Sequence, residues 1–314
     1  MYIKQIYKAK TDWWRYMIGI FIIFLFWQVI GGIPLLGAIF LETGPDFLSL
    51  TMAEMMQVLD SNLTFFLMLL SFVAGLGALL FVIKIIHQQS IKEATTSRKK
   101  IDWGRFFFGF GLISTFTIVG VLIDYNMNPD DYLWNFDPVP FTILVLIAVV
   151  MVPLQTSFEE YLFRGYLMQG LGALAHNRWF PLIITSVVFG GMHILNPEVE
   201  KLGYIIMVYY IGTGFLFGII TLMDEGMELA LGLHAGNNLI GAMLVTADWT
   251  AFQTNSILKD VSDPSAGWDV VLPILIIYPL FLFIMAKKYN WSNWGEKLFG
   301  KVKRPETINY SEEI

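Results

Sequence analysis

The sequence predicts an all-α polytopic membrane protein, with about eight transmembrane helices that enclose a polar cavity facing the cytoplasm. Three observations lead to this prediction. The chain of 314 residues is 56% hydrophobic and only 15% charged, whereas soluble domains are usually ~45–50% apolar and ~25% charged. Its apolar residues form separate runs of helix-spanning length. Several of these runs contain ionisable side chains, which are costly in hydrocarbon and therefore indicate a functional site.

Eight apolar runs are predicted as membrane-spanning helices, because about 20 mostly apolar residues suffice to cross the hydrocarbon. They cover residues 17–40, 63–86, 106–123, 141–168, 181–195, 203–223, 229–246 and 270–286. The fourth run is long and is expected to project beyond the hydrocarbon on one side. The fifth run is short. Pro181 suits its first helical turn, and Asn196-Pro197 is its predicted stop.

The distribution of lysine and arginine predicts the orientation of these helices. Basic residues cluster before the first run, after the second and after the eighth; they are Lys4, Lys8, Lys10, Arg15, Lys92, Arg98, Lys99, Lys100, Lys287, Lys288, Lys297, Lys301, Lys303 and Arg304. The loops after the first and third runs are acidic and contain no lysine or arginine. Both termini are therefore predicted to be cytoplasmic. The acidic turn 224–228 is an exception, which weighs little because acidic residues contribute little to this rule.

The organisation of the rest of the chain is simple. It has no cysteine, which excludes disulfide bonds, thiol catalysis and cysteine metal sites. We divide it into N-terminal transmembrane helices and loops at 1–138, a polar core at 139–245, and the last transmembrane helix with a basic cytoplasmic tail at 246–314. The lipid bilayer is an expected partner, and no nucleic-acid partner is predicted. His87 and His176 are predicted to be solvated loop residues at cytoplasmic helix ends.

Six polar residues inside three of the predicted spans form the candidate site; they are Glu159, Glu160, Arg164, His193, His234 and Asn238. A helix rises ~1.5 Å per residue, so their depth follows from the predicted cytoplasmic helix ends. Glu159 is roughly 16–20 Å from its helix end, His193 roughly 18 Å, His234 roughly 8 Å and Asn238 roughly 14 Å. We therefore expect the three helices to bring these groups into one cavity.

Spacing within each helix separates the roles of these residues. Glu160 and Arg164 are four residues apart with the acid first, the favourable order for an ion pair. Such a pair would neutralise Glu160 and leave Glu159, ~100° around the helix, facing the cavity. His234 and Asn238 are also four residues apart and share one helix face. Glycine pairs with the same spacing, Gly214 with Gly218 and Gly232 with Gly236, allow the sixth and seventh helices to pack closely.

These residue types are sufficient for hydrolysis of a peptide bond. A carboxylate desolvated near hydrocarbon has its pKa raised toward a useful value for a general base, and His193 would help to hold the same water. Asn238 and His234 would donate hydrogen bonds to the oxyanion, a contribution of ~10²–10³ in rate per donor. Glu159, His193 and His234 are also acceptable zinc ligands, so a metal-bound water is the competing mechanism.

Three short motifs resemble those of one protease family. Residues 159–164 match EExxxR, residues 189–193 match FxxxH, and residues 234–238 match HxxxN. In this order, each on an apolar helix, they resemble the CAAX protease and bacteriocin-processing family (CPBP, also called Abi) of intramembrane proteases. The similarity covers roughly residues 139–245, which would form the protease core, and leaves out the first three spans and the tail.

This resemblance implies an intramembrane endopeptidase with a cavity that opens toward the cytoplasm. It implies that Glu159 and His193 activate water and that His234 and Asn238 form the oxyanion site. Glu160 and Arg164 would be supporting residues of the fourth helix. The resemblance implies that no cofactor is required, although older descriptions of the family as metalloproteases keep zinc as an alternative. The substrate would be a peptide or protein, prenylated or membrane-embedded, and a bacterial cell membrane is the expected location.

Two other functions remain as alternatives. Buried carboxylates and histidines also serve proton-coupled transporters, although the two related halves with broken helices that are typical of transporters are not found here. A catalytically idle membrane scaffold or self-immunity protein would use the same fold without chemistry. Such a scaffold should tolerate Glu159→Gln, whereas an enzyme should not.

Overall fold

The computed structural model describes residues 1–264 and 267–304, which are mostly helical. The α-helices are α1 (Trp13–Phe24), α2 (Ile33–Thr43), α3 (Met52–Met55), α4 (Ser61–Phe81), α5 (Ile91–Thr95), α6 (Trp103–Met127), α7 (Pro138–Glu160), α8 (Met168–Ala175), α9 (Trp179–Gly191), α10 (Pro197–Leu202), α11 (Ile206–Asp224), α12 (Glu228–Leu244), α13 (Trp268–Leu272), α14 (Tyr278–Tyr289) and α15 (Trp294–Phe299). Residues 305–314 of the predicted cytoplasmic tail, like residues 265–266, lie outside the described residues.

Shorter elements extend or join these helices. Turns of 3-10 helix cover Ile3–Lys8, Gly44–Ser49 and Pro129–Asp131. Turns of π-helix cover Leu25–Ile30, Val82–Ile86, Tyr161–Leu167 and Pro273–Ile277. Three strands are also present, β1 (Tyr132–Trp134), β2 (Val245–Thr246) and β3 (Leu258–Asp260).

Six helical stretches are long and apolar enough to cross a membrane, which confirms the predicted all-α polytopic fold. They are Trp13–Ser49, Ser61–Ile86, Trp103–Met127, Pro138–Ala175, Ile206–Asp224 and Val270–Tyr289. The predicted fifth and seventh spans are also helices, α9 and α12, but they contain 13 and 17 residues. Both are shorter than the ~20 residues that usually cross the hydrocarbon. The total of eight spans therefore stays a prediction.

The stretch Pro138–Ala175 carries the two glutamates and Arg164. Its 38 residues would extend ~57 Å as a continuous helix, so it exceeds a hydrocarbon layer of ~30 Å, as predicted. The π-helical turn Tyr161–Leu167 follows Glu160 directly and contains Arg164. Such turns are frequent at functional sites, because they change the direction in which a side chain leaves the helix.

Glycines allow the helices that carry the site to approach their neighbours closely. A Cβ at Gly214 would lie 2.6 Å from the backbone oxygen of Ser186 on α9, so α11 packs there with its backbone. A Cβ at Gly232 would overlap the carbonyl group of Phe106, so α12 packs against α6 in the same way. The predicted close packing is therefore confirmed for both helices, and each glycine pair faces a different neighbouring helix.

The two ends of the bundle differ in their residues. The first, which we call the terminal end, holds residues 1–12, the connection 87–102, the turn 224–228 and the segment after Tyr289. Its parts are joined to one another, because Thr96 bridges to Gly226, Asn177 bridges to Lys301, and the backbone N–H of Lys10 donates to the His87 carbonyl. The second, the loop end, holds the segments 44–60, 128–137, 192–205 and 245–264.

Ion pairs at the terminal end explain the acidic turn that departs from the positive-inside pattern. Arg98 Nη2 lies 2.6 Å from Asp224 Oδ2, and Arg98 Nη1 lies 3.0 Å from Glu228 Oε2. Arg105 also pairs with Asp224. Glu225 pairs with Lys297 at 2.5 Å and with Arg178 at 3.3 Å. The acidic residues of this turn are therefore balanced by basic partners from other segments.

His87 is not the solvated residue that the sequence predicts. Its side chain is buried, with a relative exposure of 1%. Its Nδ1 lies 2.7 Å from the Lys10 carbonyl oxygen, and its Nε2 lies 3.1 Å from the Tyr166 hydroxyl. The prediction was wrong because the N-terminal segment folds over the helix end and covers the imidazole.

The loop end contains a small sheet that the sequence did not predict. β3 is the central strand, paired antiparallel with β1 and parallel with β2. The strands have only two or three residues, which is too short for a periodic pattern to be recognised. The sheet ties the loop after α6 to the long segment after α12.

Candidate active site

A cavity of about 650 Å³ lies between α6, α7, α9, α11, α12 and α14. Four of the predicted site residues line it, Glu159, His193, His234 and Asn238. They come from three different helices or their ends, so the predicted convergence is observed. The volume is within the ~300–1,000 Å³ typical of ligand sites. The predicted supporting residues, Glu160 and Arg164, lie behind the cavity wall.

Glu160 and Arg164 form the predicted ion pair. Arg164 Nη1 donates to Glu160 Oε1 at 3.1 Å, and both side chains are completely buried. Arg164 Nη2 donates to the Gly214 carbonyl on α11 at 2.9 Å, and its guanidinium lies 4.6 Å from the ring centre of Phe189. The pair therefore ties α7 to α11 and holds a negative carboxylate in the interior.

His234 lies between the two glutamates. Its Nδ1 is 2.9 Å from Glu160 Oε1, and its Nε2 is 3.2 Å from Glu159 Oε2. Glu160 Oε1 already accepts from Arg164, so the imidazole is the donor to it. The imidazole therefore joins both carboxylates and the Arg164 guanidinium in one buried polar cluster.

Aromatic rings fix the orientation of the His234 imidazole. It stacks on Phe217, with ring centres 4.9 Å apart and an interplanar angle of 26°. Phe189 meets it edge-on, with ring centres 6.0 Å apart. Phe217 therefore covers one face of the imidazole with apolar surface, and a less polar environment strengthens the electrostatic contacts within the cluster.

His193 has a defined tautomer. Its Nδ1 lies 2.9 Å from the Phe189 carbonyl oxygen, which can only accept, so Nδ1 carries the proton. In the neutral ring, Nε2 therefore carries a lone pair, and it has no hydrogen-bond partner among the described residues. Tyr210 stacks on the ring with centres 4.3 Å apart. His193 thus presents a fixed basic nitrogen at the cavity.

Two further amide residues, which the sequence analysis did not select, belong to the site. Asn238 Nδ2 donates to Gln155 Oε1 at 3.1 Å, and Asn237 Nδ2 donates to Asn238 Oδ1 at 3.0 Å. Gln155 and Asn237 also line the cavity. Gln155 could have been found from its spacing, because it precedes Glu159 by one helical turn in an otherwise apolar run. Each amide NH₂ has two hydrogens, so Asn238 keeps one for another acceptor.

The donor set does not fit a zinc site. Both nitrogens of His234 face carboxylate oxygens, at 2.9 and 3.2 Å, so in this arrangement neither points toward an open position for a metal. Within residues 1–264 and 267–304, no group of three or more histidine or acidic side chains is arranged to bind a metal ion. We therefore assign no metal to the cluster and derive no chemical step through one.

The cavity extends from the cluster toward the loop end. Its lining includes Val121, Glu198, Val245 and Thr250, which lie near or in the loops of that end. No lining residue belongs to residues 1–26, 82–105, 164–188 or 218–232. The cavity therefore extends toward the end of the bundle opposite the termini, whereas the sequence predicts both cytoplasmic termini and a cytoplasm-facing cavity. The helix depths could not reveal this, because they locate the polar groups but not the side from which these are reached.

The fold and the cluster together define a polytopic membrane protein with a buried carboxylate–imidazole site. Residues 138–240 match the family model described as type II CAAX prenyl endopeptidase Rce1-like. All six predicted site residues lie within this segment. The match confirms the resemblance to the CPBP family over the part of the chain that carries the three motifs.

One curated relative extends the similarity beyond these motifs. The chain is 30% identical over 195 residues to the uncharacterized protein YyaK of Bacillus subtilis (strain 168). The alignment covers 62% of this chain and 65% of YyaK, slightly less than two thirds of that relative's length. No solved structure shows significant similarity to the chain.

Proposed function

We propose that the protein is an intramembrane endopeptidase, CAAX-protease-like, that hydrolyses a peptide bond with water activated by Glu159 and His193. One observation supports this most strongly. The Glu159 carboxylate borders the same cavity as the lone pair of His193, while His234 contacts only one of its oxygens. A base with one oxygen held and one available is what water activation requires.

Glu159 is the general base in this proposal. Its available oxygen and His193 Nε2 each accept a hydrogen bond from one water molecule, which aims a lone pair of the water oxygen at the substrate carbonyl. When the C–O bond forms, the proton of water passes to Glu159. When the C–N bond breaks, Glu159 returns that proton to the leaving amine.

Asn238 stabilises the oxyanion of the tetrahedral intermediate. One hydrogen of its Nδ2 is used by Gln155 Oε1, and the second is directed to the developing negative charge. The hydrogen bond to Gln155 fixes the plane of the Asn238 amide, so the donor is oriented before the reaction. Gln155 is therefore a positioning residue, and its own NH₂ group is a second candidate donor.

His234 is assigned a different role from that implied by the family resemblance. Its imidazole lies between the two carboxylates, with Nδ1 donating to Glu160 and Nε2 3.2 Å from Glu159, and so orients Glu159. With both nitrogens engaged, it has no nitrogen left for a direct hydrogen bond to the oxyanion. Glu160 and Arg164 hold His234 from behind.

The mechanism needs no cofactor, and the substrate is a peptide or protein. The protein is integral to a membrane, since six stretches are long and apolar enough to cross one. A bacterial cell membrane is consistent with the Bacillus relative. Whether the substrate carries a prenyl group is part of the test.

The test is cleavage of a peptide panel, including farnesylated CAAX peptides, by purified protein in detergent. Wild type is compared with Glu159→Ala and His193→Ala, and with Glu200→Ala as a control at an exposed position. We expect cleavage by wild type and Glu200→Ala, loss in both site variants, and no effect of a zinc chelator. Chelator sensitivity would favour the zinc mechanism. If Glu159→Gln preserves the cellular function while no peptide is cut, the scaffold alternative would replace the proposal.

A further inference from the structure

The side of the membrane from which the site is reached can be inferred from the cavity and the charges together. The cavity is continuous from Glu159 and His234 to the loop end, where Glu198 and Thr250 border it. The Ala251 backbone N–H donates to Glu198 Oε1 at 2.8 Å, so the segments after α9 and after α12 meet where the cavity reaches the loop end. A substrate that enters from the loop end meets the catalytic groups directly.

The terminal end is closed beneath the site in the described part of the chain. Glu160 and Arg164 are completely buried. Below them, the Tyr2 hydroxyl donates to the Ala94 carbonyl at 2.6 Å and lies 3.1 Å from the Arg164 carbonyl oxygen. The Arg98 ion pairs with Asp224 and Glu228 cover the adjacent helix ends. Substrate entry from this end would require these buried contacts to break.

The positive charges are distributed unequally between the two ends. Of the 20 lysines and arginines, all but three lie at the terminal end, in the turn 176–178 that is bonded to it, or in the first or last turn of a helix that reaches it. The exceptions are Arg164 inside the bundle, and Lys201 and Lys259 at the loop end. Both lysines face carboxylates, Asp263 at 3.4 Å and Asp248 at 2.8 Å. The positive-inside rule therefore assigns the terminal end to the cytoplasm.

From these two observations we infer that the active site opens to the extracytoplasmic side of the membrane. Its substrate class is then a peptide or protein segment presented from that side, not the C-terminus of a cytoplasmic prenylated protein. The assignment of the side rests on the cavity and the charges, whereas the substrate class also rests on the proposed function.

Absence of cysteine from the chain permits a direct test. Single cysteines are introduced at Gly241, Gly111 and Lys100, and spheroplasts that express each variant are treated with a membrane-impermeant maleimide. Gly241 lines the cavity, and Gly111 lies on an exposed face of α6 in the apolar span. A Cβ meets nothing within 4 Å at either glycine, so neither substitution forces a clash at the Cβ. Lys100 is exposed at the terminal end.

The inference predicts that G241C is labelled in intact spheroplasts, that K100C is labelled only after permeabilisation, and that G111C is not labelled because its thiol lies in lipid. Labelling of K100C in intact spheroplasts would overturn the assignment. Labelling of G241C only after permeabilisation, or under neither condition, would also overturn it.

A second measurement separates this inference from the proposed function. A peptide that the purified wild-type protein cleaves is added outside intact spheroplasts that express either wild type or Glu159→Ala. We expect intact spheroplasts to cleave it only when they express wild type. If labelling follows the predicted pattern but no peptide is cut even in detergent, the proposed peptidase function is wrong and the inferred orientation is retained. If the peptide is cut in detergent and in permeabilised spheroplasts but not by intact ones, the extracytoplasmic position of the active site is wrong and the peptidase function is retained.

Discussion

Glu159 and Glu160 are neighbours in sequence but have different surroundings. Glu160 is fully buried against Arg164 and His234, whereas Glu159 borders the cavity. The difference follows from the ~100° rotation between consecutive residues of a helix. The different surroundings indicate that Glu160 contributes to stability and Glu159 to catalysis. Substitutions at the two positions should therefore have different effects.

We expect Arg164→Met to destabilise the protein by about 3–5 kcal/mol, because it leaves the Glu160 carboxylate buried without its main partner. Thermal unfolding in detergent measures the loss. The control is the double variant Glu160→Gln with Arg164→Met, which removes both charges and should recover part of the stability. Equal unfolding temperatures for the single and double variants would contradict the assignment of a buried ion pair.

The adjacent amides Asn237 and Asn238 provide a matched pair for the oxyanion role. Asn238→Ala should lower kcat by ~10²–10³-fold with little change in KM, the effect of losing one oxyanion donor. Asn237→Ala should have a smaller effect, because its amide donates to Asn238 and acts only through that residue. Steady-state kinetics on one cleaved peptide decide between them. Equal losses in both variants would argue against a direct role for Asn238.

At the level of the elements, the close approach of α12 to α6 positions the third motif. A Cβ at Gly232 would overlap the Phe106 carbonyl, whereas a Cβ at Gly241 on the same helix meets nothing within 4 Å. Gly232→Ala should therefore destabilise the protein by ~1–3 kcal/mol through overpacking. Gly241→Ala should be neutral or slightly stabilising, since alanine favours helix over glycine. The unfolding temperatures of the two variants are compared with that of wild type. Equal shifts would show that the contact between position 232 and the Phe106 carbonyl relaxes at little cost.

The sequence predicted those elements whose signal is local. Hydropathy located the helices, and four-residue spacing predicted both the Glu160–Arg164 pair and the shared face of His234 and Asn238. Features that depend on tertiary contacts were not predictable. The buried position of His87 depends on the N-terminal segment covering it, and the amide chain to Gln155 depends on α7 lying beside α12. The strands at the loop end are too short to produce a periodic pattern.

At the scale of the whole molecule, Glu225 connects the two ends of the chain at the terminal end. It accepts from the Tyr2 backbone N–H and from Lys297 Nζ, and it also pairs with Arg178. Burial acts to raise the pKa of Glu225, but the hydrogen bond and charge of Lys297, with the charge of Arg178, outweigh it and hold the pKa below its ordinary value of 4.5. Folding therefore favours the ionised carboxylate.

A lowered pKa in the folded state has a defined effect on stability. The stabilisation from Glu225 is fully present above its ordinary pKa and is lost as the pH falls through the lower value of the folded state. On acidification, the thermal unfolding temperature measured in detergent should therefore decrease more for wild type than for Glu225→Gln. Glu200→Gln, at an exposed position, is the control and should behave as wild type. An identical decrease in unfolding temperature for Glu225→Gln and wild type would contradict a stabilising role of the ionised Glu225 carboxylate.

The proposed function depends on Glu159 activating a water molecule for attack on a peptide bond. It is tested by a single turnover of wild type and Glu159→Gln in ¹⁸O-labelled water, with mass spectrometry of both the product and the protein. We expect one ¹⁸O atom in the new carboxyl terminus from wild type, no label in the Glu159 side chain, and no product from Glu159→Gln. Label in the Glu159 carboxylate, or product formed by Glu159→Gln at the wild-type rate, would contradict it.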